Sequence, residues 1–259
     1  MIDTHTHIDG KEFDDDRSEV IARAVSEGVK AIFLPNIDVC SLDALHSACS
    51  QYPDVCYPMY GLHPEEVCDD FRSQLDIILQ HADNDPRIIG VGEIGLDLYW
   101  EQDKADLQAQ AFSMQIEYAI RRHLPMSIHI RNAFPLMYDV FSHFDATQLV
   151  GSLHCFSGTR EDAVRINEQY PNLMFGVNGT FTYKKSQLPD IFAEVIPVDK
   201  VLLETDAPYL SPVPLRGKRN EPSHLKHVLS RLAEAYHIDA ADMERITEDN
   251  THRLFHLYK

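Results

Sequence analysis

The sequence predicts an α/β protein, a (β/α)8 TIM barrel with a C-terminal helical extension, spanning residues 1–259 as a single unit. Three observations predict it. Eight short apolar segments recur along the chain, a helical pattern follows them in alternation, and no fixed-length repeat, low-complexity tract or long linker interrupts the series. Alternating strands and helices imply a parallel sheet, and eight such units fit the usual length of an α/β barrel. A doubly wound open sheet is the competing arrangement. Against it, no Gly-x-Gly-x-x-Gly follows any of the segments.

The strand candidates are residues 1–6, 31–35, 55–60, 88–91, 125–130, 149–153, 173–177 and 201–203. Among the helices, residues 14–27 carry Val20, Ile21, Ala24 and Val25 at one-turn spacing, and Gly28 stands where a C-terminal cap belongs. Residues 103–122 align Leu107, Ala111, Met114 and Tyr118 in one stripe. They end in Arg121, Arg122 and His123, cations that suit the negative end of a helix dipole. Residues 159–168 and 222–236 follow the same pattern, and residues 240–258 read as one or two helices closing the chain.

Composition narrows the function. A chain of 259 residues, 44% hydrophobic and 25% charged, reads as a soluble globular protein able to bury a large core. No run of eighteen apolar residues occurs, so a transmembrane helix is not expected. The first residues lack the basic start and apolar stretch of a signal peptide. Five cysteines (Cys40, Cys49, Cys56, Cys68 and Cys155), with no Cys-x-x-Cys pair, argue against a disulfide framework or a structural zinc site. The expectation is a cytoplasmic protein with no membrane and no obligate protein partner. Lys and Arg total 23 against 41 Asp and Glu, a net charge of −18. That disfavours a large footprint on duplex DNA but leaves room for a small phosphate site where metal cations supply the positive charge. Histidine is the outlier, at 14 residues.

Barrel active sites are built at the C-terminal ends of the strands. His5 and His7 end the first strand candidate, and residues two apart on a strand share a face. His63, Glu93, His129, His154, Glu204 and Asp206 stand at later strand ends. Six residues, His5, His7, Glu93, His129, His154 and Asp206, make a candidate dinuclear metal site. Neutral imidazoles suit Zn, Mn, Co or Ni, and Mg is a further candidate. Glu93 has two oxygens with which to bridge two ions, and a pair about 3.5–4 Å apart stabilises both attacking and leaving oxygens. Asp206 is the candidate general base. Glu204 either binds a further ion or orients a neighbouring group. A lone His-x-His pair or strand-end carboxylate is commonly incidental, a helix cap or an ion-pair partner. The joint pattern is what points to a metal. The other nine histidines read as surface or packing residues.

Around these residues the sequence resembles the TatD family of metal-dependent deoxyribonucleases, within the amidohydrolase superfamily. The resemblance runs from Met1 to about Leu257. It is carried by Asp3-Thr4-His5-Thr6-His7, Gly61-Leu62-His63-Pro64, Gly92-Glu93-Ile94-Gly95-Leu96-Asp97, His129-Ile130-Arg131, His154-Cys155-Phe156-Ser157-Gly158, Asn178-Gly179-Thr180, Leu203-Glu204-Thr205-Asp206-Ala207-Pro208-Tyr209 and Asn220-Glu221-Pro222. The family's ligand positions fall on the six residues already named. Thr6 stands where many relatives have Cys, at a position expected to point away from the metals. With Glu93 on strand four, a carbamylated lysine bridge is not implied. The resemblance implies a barrel, two divalent cations and phosphodiester hydrolysis, with 3′–5′ exonuclease action on single-stranded DNA ends.

Several neighbours carry two readings each. His63 is a phosphate contact or a packed imidazole, and Arg131 offers a bidentate fork to phosphate or pairs with a carboxylate. Arg216-Gly217-Lys218-Arg219 draws in a nucleic-acid strand or is a solvated charge run. Phe181 and Tyr183 stack on a terminal base or pack, and Trp100 lines the mouth or covers the rim. Gly92 and Gly95 serve backbone geometry. For the whole chain, the alternatives to a phosphodiesterase are an amidohydrolase cleaving a small amide, lactone or ester, and a catalytically idle metal-binding scaffold.

Overall fold

The computed structural model describes residues 1–100 and 102–257. Its strands are β1 (Ile2–Asp3), β2 (Ala31–Pro35), β3 (Cys56–Met59), β4 (Val91–Asp97), β5 (Met126–Arg131), β6 (Gly151–His154), β7 (Leu173–Val177) and β8 (Val201–Leu203). They pair in parallel, in chain order, as β1 to β3 and β4 to β8. Two seams join these halves. Met59 bridges Gly90, and Ile89 N donates to Pro58 O at 3.1 Å and Gly92 N to Tyr60 O at 3.0 Å. On the other side Thr4 N donates to Leu203 O at 3.0 Å and Asp206 N to His5 O at 2.9 Å. The expected barrel is therefore the fold, and the open sheet is not.

A helix follows every strand: α1 (Arg17–Ser26), α2 (Leu42–Gln51), α3 (Phe71–Asn84), α4 (Ala105–Arg122), α5 (Phe134–Phe141), α6 (Arg160–Gln169), α7 (Leu188–Val195) and α8 (Leu225–Tyr236). A further helix, α9 (Ala240–Phe255), is the C-terminal extension. Local sequence sets their ends. Gly28, at φ +88°, takes the left-handed conformation just past α1. Thr159 and Asp162 form a reciprocal capping box at the start of α6. The expected closing segment ran to Tyr258, which lies outside the described residues.

Two expectations about strands need correction. Strand four is Val91–Asp97, not residues 88–91, so the glycine-containing motif is the strand itself and not its exit. Gly95 looks like a strand breaker from sequence alone. Here it sits at φ +141°, where an added Cβ would lie 2.0 Å from His129 O, so β4 and β5 need a glycine to approach this closely. Strand one stops at Asp3, so His5 and His7 lie beyond it and strand alternation is not what aligns them.

Buried apolar residues divide into two sets. The larger lies between strands and helices, including Ile32, Leu34, Ile94, Ile128 and Leu203. The smaller holds Ile2, Ala31, Phe33, Met59, Ile89, Met174 and Leu202 with Leu254 and Phe255 of α9. Residues of neighbouring parity on one strand, such as Ile32 and Phe33, fall in different sets, as side-chain alternation requires. The smaller set fills the barrel's lower interior, and the Phe255 ring meets Phe33 at 4.8 Å between centroids. This plug at the N-terminal end leaves the C-terminal end for polar residues. Among the described residues, no helix is long and apolar enough to cross a membrane.

Candidate metal centre at the barrel mouth

The chain after β1 is tied to the chain after β8. The Asp3 carboxylate accepts from Thr205 Oγ1 at 2.6 Å and Thr205 N at 2.9 Å, while Thr4 Oγ1 donates to Leu203 O at 3.0 Å. Thr6 turns away from the mouth and donates to Ala207 O, as expected of that position. These bonds place His5 and His7 beside Asp206 across some two hundred residues of sequence. Asp206 itself adopts φ +57°, in the left-handed region.

Glu93, buried on β4, is the centre of the cluster. Its Oε2 lies 3.1 Å from His5 Nε2 and 3.5 Å from His7 Nε2. Its Oε1 lies 2.8 Å from His129 Nδ1, 3.4 Å from His63 Nε2 and 3.8 Å from His154 Nε2. Asp206 Oδ1 stands 3.6 Å from both His7 Nε2 and His154 Nε2. All six residues expected from sequence converge, and His63 joins them. Overlapping sets of donor atoms close enough to share a cation are His5 with His7 and Asp206, His5 with Glu93 and His154, and His63 with Glu93 and His129.

Outer contacts orient these rings. His5 Nδ1 meets Ser127 Oγ at 2.8 Å, which directs Nε2 at Glu93. His129 Nε2 meets Asp97 Oδ2 at 3.0 Å, which leaves Nδ1 for Glu93. Glu204 lies behind His154, its Oε1 3.2 Å from Nδ1 and accepting from Cys155 N. Gly176 makes room for it, because a Cβ there would fall 2.4 Å from the carboxylate. Both readings of Glu204 have a geometric basis: it lies beside His154 Nδ1 without a hydrogen bond to it, and with His154 and Cys155 it forms a further set of donors close enough to share a cation. Asp3, Asp97 and Ser127 were given no role from sequence. The first two stand inside the quoted motifs, whereas Ser127 carried no signal beyond lying two residues before His129.

The electrostatics follow from crowding. Burial works to raise the Glu93 carboxyl, but His5, His63, His154 and the His129 hydrogen bond hold it well below the usual carboxylate range. Burial opposes ionisation of Asp206 too, and His154 and His7 outweigh it, so its carboxyl is also lowered. Burial, reinforced by His154, drives His5 down to about 4. His7 rises to about 10 and His129 to about 9, because their carboxylate partners overcome burial. The Glu93, Asp206 and Asp97 carboxylates thus favour the charged form of His7 and His129, which burial alone would keep neutral.

Divalent cations fit this donor set. Imidazole nitrogens and carboxylate oxygens are the donors that borderline divalent ions take. Around one ion, donors at about 2.0–2.2 Å stand about 3.3–3.6 Å from one another in a tetrahedron. The His5 Nε2 to His7 Nε2 separation is 3.3 Å, and both nitrogens face the carboxylates. Buried His7 Nδ1, His154 Nδ1 and Glu204 Oε2 have no hydrogen-bond partner, a clustering of unsatisfied polar atoms that marks a functional site.

The other sequence candidates separate. Arg131 lies at the mouth, 3.9 Å from Asp97 Oδ2, with its guanidinium 4.1 Å above the Tyr99 ring. Phe181 is buried against Phe192 at 5.4 Å, so it packs and does not face a substrate. Tyr183 donates to Ser211 O, and Arg216 stacks on its ring at 4.4 Å. Arg219 is bound to Asp16 at 2.6 Å and covers Phe13, so it clamps the β8 loop onto the segment that leads into α1. The basic loop therefore offers less free charge than its composition suggested. Trp100 is exposed at the rim.

Comparison with known proteins agrees with this fold. A family model described as TatD related DNase matches residues 2–256. The chain is 34% identical to the uncharacterized metal-dependent hydrolase YabD of Bacillus subtilis (strain 168), over 99% of each chain. It is 29% identical to the 3′-5′ ssDNA/RNA exonuclease TatD of Pectobacterium parmentieri, covering 99% of this chain and all of that one. Among solved structures, the TatD homolog YJJV from Escherichia coli superposes with a TM-score of 0.89 at 29% identity, covering 100% of this chain and 98% of that one.

Proposed function

The chain belongs to the TatD-related DNase family of metal-dependent hydrolases, and from that premise we propose that it hydrolyses phosphodiester bonds at single-stranded nucleic-acid ends in the 3′ to 5′ direction. His5, His7, Glu93, His129, His154 and Asp206 would hold two divalent cations, and Asp206 would serve as general base. The observation that carries this reading is the division of Glu93. One oxygen faces His5 and His7, the other faces His63, His129 and His154, so a single carboxylate serves two groups of imidazoles. The cations supply a lowered pKa for water and positive charge for the phosphoryl oxygens.

The chain's own residues supply the rest. Asp206 is ionised and accepts the proton of the attacking water at its carboxylate. Asp97 holds His129, and Ser127 holds His5, so their inward nitrogens stay aimed at Glu93. Arg131, half-buried beside them, offers its guanidinium to a phosphate. The five free cysteines suit a reducing, cytoplasmic setting. Relatives named as 3′-5′ ssDNA/RNA exonucleases support the substrate class.

A second reading, cleavage of a small amide, lactone or ester, is favoured by the net charge of −18, which repels a polyanion away from the cations. One experiment separates the two. The protein is stripped of metal and restored with Mg, Mn, Zn or Ni in turn. It is then offered end-labelled single-stranded DNA beside a panel of lactones and amides. Release of a 3′ label ahead of a 5′ label is the expected result. Intact DNA with every metal, together with an opened lactone or amide, hands the site to the second reading. Unchanged nuclease release by Asp206→Asn removes Asp206 from the role of base.

A further inference from the structure

The chain has a single tryptophan, and it is not in the core. Trp100 is 63% exposed and its neighbour Tyr99 is 49% exposed, although large aromatics ordinarily lose most of their surface on folding. Their rings meet edge to face at 4.5 Å. The Arg131 guanidinium lies 4.1 Å from the centre of Tyr99 and 5.7 Å from that of Trp100. A cap over the barrel rim would bury these rings; this cluster leaves about half or more of each aromatic residue, and part of a cation, open to solvent.

The cluster is hydrogen-bonded to the candidate metal centre through Asp97. Asp97 Oδ1 accepts from Tyr99 N at 2.9 Å and from Trp100 N at 3.3 Å, while Asp97 Oδ2 meets His129 Nε2 at 3.0 Å. Leu98 N donates to Arg131 O at 3.0 Å, which keeps the exit of β4 against the exit of β5. One buried carboxylate thus aligns both the aromatic turn and an imidazole that faces Glu93. Tyr209, the other exposed aromatic near the cluster, approaches His7 at 6.3 Å between ring centroids and has no guanidinium stacked on it among the described contacts.

We propose that Tyr99, Trp100 and Arg131 form a platform that seats the terminal nucleobase of a single-stranded nucleic acid by stacking, with the Arg131 guanidinium on an adjoining phosphate. This rests on the phosphodiesterase reading above and adds to it the part of the protein that grips the end. Stacking on an aromatic side chain tolerates any sequence, because every base has a π face. An arginine already seated over a ring sacrifices little side-chain freedom when it takes a phosphate. Against a net charge of −18, local gripping at the mouth replaces long-range attraction.

The test uses two single-stranded oligonucleotides, each with a 5′ fluorophore and a phosphorothioate at the last linkage. One ends in a normal 3′ nucleotide and the other in an abasic 3′ sugar. Fluorescence anisotropy with the wild-type protein is expected to show about tenfold tighter binding of the base-bearing end. That end, and not the abasic one, is expected to quench the emission of Trp100. Trp100→Ala should reduce the tenfold preference to less than about twofold, and Trp100→Phe should keep most of it. Equal binding of the two ends by wild type, or full preference in Trp100→Ala, overturns the platform. Preference and quenching, with no hydrolysis of the same base-bearing oligonucleotide lacking the phosphorothioate under any metal, leave the platform standing and remove the phosphodiesterase reading. Hydrolysis with equal rates on both unmodified ends removes the platform alone.

Discussion

At the N-terminal end of the barrel, charges are matched by opposite charges. The Met1 ammonium bonds Glu244 at 2.7 Å and Glu248 at 2.6 Å, and Lys30 reaches the other oxygen of Glu248 at 2.8 Å. Behind them the interior is closed by Phe255 and Leu254 against Phe33, Met174 and Leu202. At the C-terminal end, five imidazoles crowd around Glu93 and Asp206, and no Lys or Arg among the described ion pairs touches either carboxylate. One end is complementary within itself and contributes to stability. The other is complementary to cations, and its groups are packed together at a cost that burial alone does not offset. The contrast teaches where to look for function in such a barrel: at the end whose polar groups satisfy one another worst.

That contrast can be broken by mutation. The largest effect is expected at Glu93. Glu93→Gln should lower metal-dependent hydrolysis by about 10³-fold or more and reduce bound metal, with the fold intact by circular dichroism. Full metal content with near-normal turnover would strip Glu93 of its central place. At the opposite end, Phe255→Ala should reduce stability by about 3–5 kcal/mol in urea unfolding. Turnover per folded molecule should hardly change. A matching loss of turnover would mean that the two ends are not independent.

Asp97→Asn sharpens the comparison, because it keeps the size and the acceptors for Tyr99 N and Trp100 N but weakens the hold on His129. A drop of about 10–100-fold in Mn affinity by titration calorimetry is expected. An unchanged affinity would reduce Asp97 to a support for the turn.

The smallest effect belongs to Glu248. Burial works to raise its carboxyl, but the bonds from Lys30 and the Met1 ammonium hold it below the usual range. A depressed folded value stabilises above the unfolded pKa of about 4.3, and that contribution is lost as pH falls through the folded value. Glu248→Gln should therefore cost about 1 kcal/mol at pH 7 and progressively less below pH 4. A deficit that persists undiminished at low pH would point to lost packing in place of lost charge.

The donor types were legible in the sequence because chemistry restricts them. His5, His7, His154 and Asp206 stand at or just past strand ends and His129 two residues before one, and barrel strands gather their C-terminal ends by construction; Glu93 lies further back, inside β4. The boundaries of β4 were not legible, since Gly92 and Gly95 mimic a turn when the neighbouring strand is unseen. Nor was the fate of Arg219 or Phe181. A basic loop looks free until Asp16, two hundred residues away in sequence, is placed against it. An aromatic after a strand looks available until α7 covers it.

By itself, the sequence determined the order of strands and helices, the barrel class and the chemical kinds of group at the mouth, because periodicity and residue type are local properties. The tertiary structure decided which nitrogen of each imidazole faces inward, that both oxygens of Glu93 are shared, and that Asp97 links His129 to the exposed aromatic turn. Those outcomes depend on the closing of the two seams and on strand register. Register sets separations of a few ångströms between residues far apart in the chain, and no local pattern encodes them.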